Sequence, residues 1–174
     1  ALREALPLAG PPDAATVAAV AAALPAPVGA RAVLIDGHFV AELSQGAEGV
    51  RLASLSEALA EGGTDEPIAG LGLGGEDAAV DLNAAFMQGG ALVDVIESAD
   101  ASVEIVDVAT GAEPRASYLR SVVRIGRGAR ARVVETRLAL ATGAHQRNAA
   151  LIVDIGDFAG VEHVAETRGD GEDS

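Results

Sequence analysis

IGRGARARVVETR (residues 125–137) is repeated as IGDFAGVEHVAETR (residues 155–168), and this repeat decides the fold. The first half of one copy aligns with the other without a gap, so that Ile125 matches Ile155; one residue is inserted before the closing ETR of the second copy. A fainter third copy lies one period earlier and shares four apolar positions: Val95, Ala99, Ala101 and Val103. A fixed period of this length is typical of proteins that stack one supersecondary unit on the next. We therefore predict that Val95, Ile125 and Ile155 form one column of stacked side chains.

From Ala91 onward, apolar residues occupy every second position, which indicates β-strands. Each repeat would form one rung, meaning one turn of a coiled β-ribbon, with equivalent side chains stacked at roughly 4.7–4.9 Å. Short turns that contain glycine would join the strands, at Gly126, Gly128, Gly156 and Gly160. We predict a mainly β fold in which residues 90–174 form the start of a parallel β-helix, or solenoid.

The preceding part, residues 1–89, is predicted to be a small α/β region, with helices and a β-hairpin. Asp13 follows two prolines and can cap a helix over residues 13–24. The pair Asp36-Gly37 lies between two apolar runs, which is the pattern of a two-residue hairpin turn. Ser54 and Glu57 have the spacing of a capping box, which predicts the start of a second, short helix.

A third helix is predicted over residues 76–88, after a glycine-rich loop over residues 62–75. Gly89-Gly90 would end this helix directly before the first strand of the solenoid. Its buried side is expected to carry the large apolar residues Val80, Leu82, Phe86 and Met87.

The glycine-rich loop contains the spacing G-x-G-x-x-G of dinucleotide-binding sites, at Gly70, Gly72 and Gly75. That motif requires a buried strand before the glycines and a helix whose N-terminus accepts a pyrophosphate. Here an acidic loop precedes the glycines, and Glu76 and Asp77 begin the helix. We therefore interpret these glycines as part of a loop and predict no bound dinucleotide.

Composition excludes several classes of function. The 174 residues include 12 basic and 26 acidic side chains, a net charge of −14, which argues against a nucleic-acid or anionic-membrane binder. All basic residues other than histidine are arginines, so a catalytic lysine of this chain is excluded. Cysteine is absent, which excludes disulfides and thiolate metal sites and is compatible with a cytoplasmic location.

The chain begins without Met and ends directly after a repeat, so we expect a fragment of a longer protein, with a truncated solenoid.

Eight of the twelve arginines lie between Arg115 and Arg147, where Glu135 is the sole acidic residue. A linear reading suggests a basic patch for phosphate or nucleic acid. The repeat favours a structural role instead, because acidic residues lie one period from five of these arginines. The predicted columns are Asp94–Arg124–Asp154, Glu97–Arg127–Asp157, Asp100–Arg130, Arg132–Glu162 and Asp107–Arg137.

The histidines are isolated in sequence. Even the two nearest along the chain, His145 and His163, are too far apart for the local spacing of a metal site, and His38 is more distant still. His163 aligns with Val133 and is expected to be a hydrogen-bonded histidine inside the solenoid, while His145 is expected in a connection between strands. No Ser/His/Asp arrangement is suggested by the sequence. We predict no catalytic, cofactor-binding or metal-binding residue.

Four segments resemble one known family. They are VLIDGHFVAELS (33–44), LSEALAE (55–61), DLNAAFMQGGALVDV (81–95) and IGDFAGVEHV (155–164). In their order and character they are similar to the SufB/SufD family of iron–sulfur cluster assembly proteins, and to its SufD branch in particular. The third segment is the most specific, because a helix containing Asn-x-Ala-Phe that leads directly into the first solenoid strand is uncommon. The resemblance covers most of residues 31–168.

The resemblance implies a right-handed parallel β-helix and a non-enzymatic scaffold subunit. Such a subunit would pair with a SufB-like β-helix and a SufC-like ATPase in the cytoplasm. The cysteine and histidine associated with cluster handling in the family have no counterpart here, so no ligand is carried over to any residue. A transient Fe–S cluster is therefore expected only in the full complex, and no cofactor is expected on this chain.

Two other classes of function remain open. The repeat alone is compatible with a self-assembling structural solenoid of the bactofilin type. The open end of the solenoid also predicts self-association, because the last strands offer unpaired N–H and C=O groups. A carbohydrate-active β-helix enzyme is the least favoured class, because aromatic residues for stacking sugars are scarce, at 2 % of the chain.

Overall fold

The computed structural model of the protein describes residues 6–61 and 78–169. The predicted loop over residues 62–75, with its three spaced glycines, lies outside the described residues. The helices are α1 (Ala14–Ala23), α2 (Leu55–Ala60) and α3 (Ala78–Phe86), with a short 3-10 helix at Ala41–Leu43. The strands are β1 (Ala30–Ile35), β2 (His38–Phe39), β3 (Val50–Ser54), β4 (Ala91–Val95), β5 (Asp100–Ala109), β6 (Arg115–Ile125), β7 (Arg130–Ala139), β8 (His145–Ile155) and β9 (Gly160–Gly169).

The strands form two mixed sheets, which confirms a mainly β fold. The first sheet has the order β2-β1-β5-β7-β9, and the second has the order β3-β4-β6-β8. From β4 to β9, successive strands alternate between the two sheets, and each pairs in parallel with the strand one repeat away. Antiparallel pairing is found between β1 and β2 and between β3 and β4.

The register between repeats is constant in both sheets. Val95 pairs with Ile125, and Ile125 pairs with Ile155, so the predicted column is confirmed. The same step continues through β7 and β9, where Arg137 pairs with Thr167. The two ETR triplets suggest a one-residue insertion that would place Arg137 opposite Arg168. The strand register shows that this expectation is wrong. A one-residue slip would turn each following side chain to the opposite face of the sheet, so pairing holds the register although the sequence repeat shifts.

The core lies between the two sheets and consists of small and medium apolar side chains. Val93, Val123 and Val133 are fully buried there, with alanines such as Ala91 and Ala129 between them. Small residues let the two sheets approach closely, which explains how a chain with 2 % aromatic residues fills a core. α1 covers the outer side of the first sheet through Val20, and α2 covers the second sheet through Leu55.

The local signals in the N-terminal part are confirmed. The Asp13 carboxylate accepts a hydrogen bond from the Thr16 N–H at 2.7 Å and caps α1. Asp36 and Gly37 both have positive φ, 50° and 91°, as the tight hairpin turn between β1 and β2 requires. Ser54 caps α2, accepting from the Glu57 N–H at 3.4 Å. β2 is short because the chain enters the 3-10 helix soon after it.

The predicted buried side of α3 is only partly correct: Val80 is half-buried and Met87 packs against the cluster around Leu55. Leu82 and Phe86 are 38 % and 46 % exposed, whereas Asn83 is 1 % exposed. The helix turns its polar asparagine inward because β6 and β8 present backbone carbonyls beneath it. Phe86 instead packs at the surface against the Tyr118 ring, with 5.5 Å between centroids. After α3, Gly90 allows a close approach to β6, since a Cβ there would lie 1.6 Å from the Arg120 carbonyl oxygen.

The predicted boundary at residue 89 does not separate two sheets. β1 pairs in parallel with β5, and β3 pairs with β4, so strands of the N-terminal part extend both sheets. The N-terminal part therefore covers the first edge of the stacked repeats.

Candidate functional site

The space between the sheets changes from apolar to ionic along the strands. On β5, the inward positions Val103 and Ile105 are followed by Asp107. On β8, His145 and Arg147 come first, and the inward apolar residues follow them. We call the part of this space that is lined by apolar side chains such as Val103 and Ile105 the apolar end. The polar part is the ionic end, which we define by Asp36, Asp107, Thr110, Arg115, His145 and Arg147.

Asp36 is the centre of the ionic end and is 2 % exposed. Its carboxylate accepts hydrogen bonds from the Thr110 N–H at 2.9 Å and the Thr110 hydroxyl at 2.5 Å. Arg115 Nη1 lies 3.4 Å from Oδ2, and His145 Nε2 lies 3.3 Å from Oδ1. The hairpin turn thus places the Asp36 carboxylate beside the first residues of β6 and β8, where hydrogen-bond donors surround it.

Asp107 forms the second ionic contact. It is 5 % exposed, and its carboxylate accepts a hydrogen bond from Arg147 Nε. Asp107 lies on the first sheet and Arg147 on the second, so this ion pair joins the sheets where apolar packing ends. Removing Asp107 would leave the Arg147 charge less well compensated, which destabilises the fold.

The two buried carboxyl groups have pKa values shifted in opposite directions. Burial by itself raises the pKa of Asp36, but the contacts with His145 and Thr110 outweigh it and hold that pKa below the ordinary 3.8. Burial raises the pKa of Asp107 above 3.8, and the Arg147 guanidinium offsets this only in part. Asp36 is therefore stabilised as an anion by its neighbours, whereas the charge on Asp107 is less well compensated.

Two buried polar atoms near the ionic end have no hydrogen-bond partner among the described residues: Ser117 Oγ and His145 Nε2. The contact of His145 Nε2 with Asp36 is within ion-pair distance, but it is not aligned as a hydrogen bond. Since Ser117 makes no hydrogen bond to His145, these side chains do not form a nucleophile held against a base. The arrangement offers charge and hydrogen-bond donors.

The predicted charge columns are only partly correct. Arg124 bonds Asp94 in two places, at 2.5 and 3.1 Å, and Arg132 lies 3.6 Å from Glu162. Asp107 stands in register with Arg137 as predicted, but its ion pair is with Arg147 across the sheets. Arg127 lies over the Phe158 ring, 5.6 Å from its centroid. No ion pair joins Arg130 to Asp100 within the parts of the chain that the structure describes, although the two are in register.

The histidines also differ from the sequence-based prediction. His145 is the first residue of β8, inside the ionic end, and does not lie in a connection. His163 lies in register with Val133 as predicted and makes a hydrogen bond with Glu135 at 2.9 Å, yet its side chain is 40 % exposed. His38 lies 3.2 Å from the Ala9 carbonyl oxygen through Nε2.

Sequence reasoning missed the ionic end, although a signal for it exists. Arg115 and His145 are one repeat apart, and so are Ser117 and Arg147; both pairs stand in register. Applying the period to this segment would have placed these polar residues in two adjacent rows. No sequence signal indicates the role of Asp36 in the ionic end, because the Asp-Gly turn motif already explains why an aspartate occupies this position.

Asn83 is a second polar centre and joins α3 to two consecutive repeats. Its amide nitrogen lies 2.9 Å from the Leu119 carbonyl oxygen on β6 and 3.1 Å from the Asn148 carbonyl oxygen on β8. Its amide oxygen accepts a hydrogen bond from Arg120 Nε at 3.1 Å. Asn148 in turn donates to the Ala79 carbonyl at 2.8 Å. The helix is thereby fixed against the outer side of the second sheet.

No group of three or more His, Asp or Glu side chains within residues 6–61 and 78–169 is arranged to hold a metal ion. Among the same residues, no helix is long and apolar enough to cross a membrane. Compared with known proteins, the sequence matches no family model and no curated protein.

Proposed function

We propose that this chain is a non-enzymatic scaffold subunit of the SUF iron–sulfur cluster assembly system, similar to the SufD branch. In this proposal, β4–β9 are the start of a right-handed parallel β-helix. The subunit pairs with a SufB-like β-helix and carries a SufC-like ATPase in the cytoplasm. The Fe–S cluster is the cargo of the complex, and no residue of this chain is assigned as its ligand.

The observation that carries the proposal is the position of Asn83. The most specific segment of the resemblance, DLNAAFMQGGALVDV, contains this residue. Asn83 is buried and bonded to β6 and β8, and the segment continues through Gly89 and Gly90 into β4. The main features of the segment therefore have a physical reason: the amide fixes the helix to the stack, and the glycine permits the close turn into the first strand.

The arrangement of strands supports the same proposal. Successive strands alternate between two sheets at a constant step, from Val95 to Ile125 and on to Ile155, as consecutive turns of a coiled ribbon do. The outer edges of β8 and β9 have no strand neighbour among the described residues. Such edges can accept further strands, from this protein or from a partner.

The test is a co-expression experiment. The protein carrying an affinity tag is produced with the SufB-like and SufC-like proteins of the same organism and purified through the tag. A complex that contains both partners and stays together on size-exclusion chromatography is expected. A matched control is the Val123→Asp variant, whose core is disrupted and which should retain neither partner. Folded wild-type protein that retains neither partner would contradict the proposal.

The second candidate is a self-assembling structural solenoid, which the edges of β8 and β9 favour. Ile155, at the end of β8, is 48 % exposed and adds an apolar surface to that edge. Filaments or end-to-end stacks in negative-stain electron micrographs of the purified protein would support this candidate. Particles of uniform size in the same micrographs would argue against it.

A further inference from the structure

One buried arginine differs from all the others that are withdrawn from solvent. Among the residues that the structure describes, five arginines are buried or half-buried. Four of them form an ion pair with a carboxylate: Arg31 with Glu104, Arg115 with Asp36, Arg124 with Asp94 and Arg147 with Asp107. The fifth, Arg120 on β6, is 7 % exposed and forms no ion pair with any residue in the described ranges. Charged side chains are rarely buried without a counter-charge, so Arg120 lacks a partner that the other four have.

The contact that Arg120 does make is with a neutral group. Its Nε donates a hydrogen bond to the amide oxygen of Asn83 at 3.1 Å, which orients the guanidinium without compensating its charge. Asn83 is itself fixed, because its amide nitrogen bonds carbonyl oxygens of β6 and β8. The guanidinium is therefore held in place, with Nη1 and Nη2 left without a hydrogen-bond partner in the described part of the chain.

The tip of the Arg120 side chain is still within reach of solvent. The fully buried side-chain atoms that lack a hydrogen-bond partner in residues 6–61 and 78–169 are Ser117 Oγ and His145 Nε2, so neither Nη atom of Arg120 is completely enclosed. With 7 % of the residue exposed, the opening is narrow. A group that reaches the two Nη atoms from solvent must therefore be small.

The strand register explains why the chain itself supplies no counter-charge. Arg120 and Arg124 are four residues apart on β6 and point to the same face of the second sheet. Arg124 stands in register with Asp94, and their side chains are bonded. Arg120 stands in register with Ala150 of β8, which carries no charge. The same stacking thus pairs one arginine of this face and leaves the other uncompensated.

We propose that Arg120 binds a small oxyanion that carries a single negative charge. Two oxygens of the anion accept hydrogen bonds from Nη1 and Nη2, the planar two-point contact that a guanidinium offers. One charge matches the one uncompensated guanidinium, whereas a doubly charged anion would leave a net negative charge in a largely buried position. The bound anion takes the place that a carboxylate of the chain takes at the other four arginines.

The test is a titration of the full chain, labelled with ¹⁵N, with sodium formate at neutral pH, followed by NMR. Sodium chloride holds the ionic strength constant, so that general attraction between charges does not change during the titration. A saturable shift of the Arg120 Nε–H signal is expected, with a Kd of about 1 mM or tighter. Arg120→Gln should weaken binding at least about tenfold, and Arg120→Lys, which keeps the charge but not the planar fork, should weaken it less.

A second variant supplies the missing counter-charge and leaves Arg120 in place. Ala150→Asp puts a carboxylate in register with Arg120, as Asp94 is with Arg124, and should weaken formate binding at least about tenfold because the two carboxylates compete for one guanidinium. Ala150→Asn, which has nearly the same size and no charge, should leave the Kd unchanged. Circular dichroism confirms that each variant is folded.

Arg124→Gln is the matched control for charge, because Arg124 lies on the same face of the same strand and already has Asp94 as its partner. It should leave the formate Kd unchanged. Equal weakening by Arg124→Gln and Arg120→Gln would mean that formate responds to the charge of the surface alone, and would overturn the site. The absence of a saturable shift, or binding that Ala150→Asp leaves intact, would overturn it as well. Sulfate binding more tightly than formate would overturn the assignment to a singly charged anion.

Discussion

The apolar end and the ionic end of the inter-sheet space share one register but follow different rules. At the apolar end, a column repeats one kind of residue, as in Val95, Ile125 and Ile155. At the ionic end, a row contains three different residues, Asp107, Arg137 and Thr167, and its ion pair crosses to the other sheet. Backbone pairing therefore fixes which residues are neighbours within a sheet, whereas the charge and length of the side chains decide which residues interact.

The sharpest way to test this difference is to place a charge at the apolar end. Val123 is fully buried there within an apolar cluster, so Val123→Asp should destabilise the fold by more than about 4 kcal/mol. The measurement is urea unfolding followed by circular dichroism. Val28→Asp is the control, because Val28 is 91 % exposed, and its effect should stay within about 0.5 kcal/mol. Similar unfolding midpoints for the two variants would contradict the assignment of the core.

The next largest effect is expected from Asp36→Asn. Asparagine tolerates the positive φ of the turn, so this change removes the charge and one acceptor oxygen without straining the backbone. It leaves Arg115 and His145 without their carboxylate and should reduce the free energy of unfolding by about 2–4 kcal/mol at neutral pH.

The pH dependence sharpens that prediction. Burial acts to raise the pKa of Asp36, but the contacts with His145 and Thr110 outweigh it and hold this pKa below its ordinary 3.8. The stability that the ionised Asp36 contributes is therefore present above the ordinary value and is lost as pH falls through the lowered one. The difference between wild type and Asp36→Asn should shrink in that acidic range. A difference that stays constant from neutral to strongly acidic pH would contradict the role of the charge.

A smaller loss of stability, about 1–2 kcal/mol at neutral pH and with the opposite pH dependence, is expected from Asp107→Asn, because the cost of burying the Asp107 charge offsets much of what its contact with Arg147 contributes. Burial raises the pKa of Asp107, so ionisation of this group lowers the stability of the wild type as pH rises from the ordinary value through the raised one. Relative to wild type, Asp107→Asn should therefore become more stable as pH increases across that range. Unfolding curves of both aspartate variants over one pH series compare the two slopes, and equal slopes would show that the two carboxylates have equivalent environments.

The smallest effect is expected on the surface of the second sheet. Arg124→Asp places three aspartates in one column, with Asp94 and Asp154 as neighbours, and should reduce stability by about 1 kcal/mol. Thermal unfolding measures the change, and high salt should reduce it because the charges are partly exposed. Combining Arg124→Asp with Asp94→Arg restores an opposite pair and should recover part of the loss. No recovery in the double variant would mean that Arg124 acts through packing.

The repeat made the stacking of the sheets predictable, because apolar columns leave a direct trace in the sequence. Asp13, Ser54 and the Asp36-Gly37 turn were predictable because each depends on its nearest neighbours. The inward face of α3 was not, since Asn83 is buried for the sake of carbonyl groups on strands that lie far away in sequence. The pairing of Asp107 with Arg147 was not predicted because the two residues lie on different sheets, and the period of the repeat relates only residues within one sheet.

The register of β7 and β9 tests the stacked architecture most directly, because here the sequence repeat and the structure disagree. The chain has no cysteine, so pairs of introduced cysteines report proximity without background. Arg137→Cys combined with Thr167→Cys should form an intramolecular disulfide under mild oxidation, since the two positions are directly paired across neighbouring strands. Arg137→Cys combined with Arg168→Cys should not, because residue 168 is on the opposite face of its strand. Faster cross-linking of the Arg168→Cys pair, measured by mass spectrometry, would contradict the constant step between repeats.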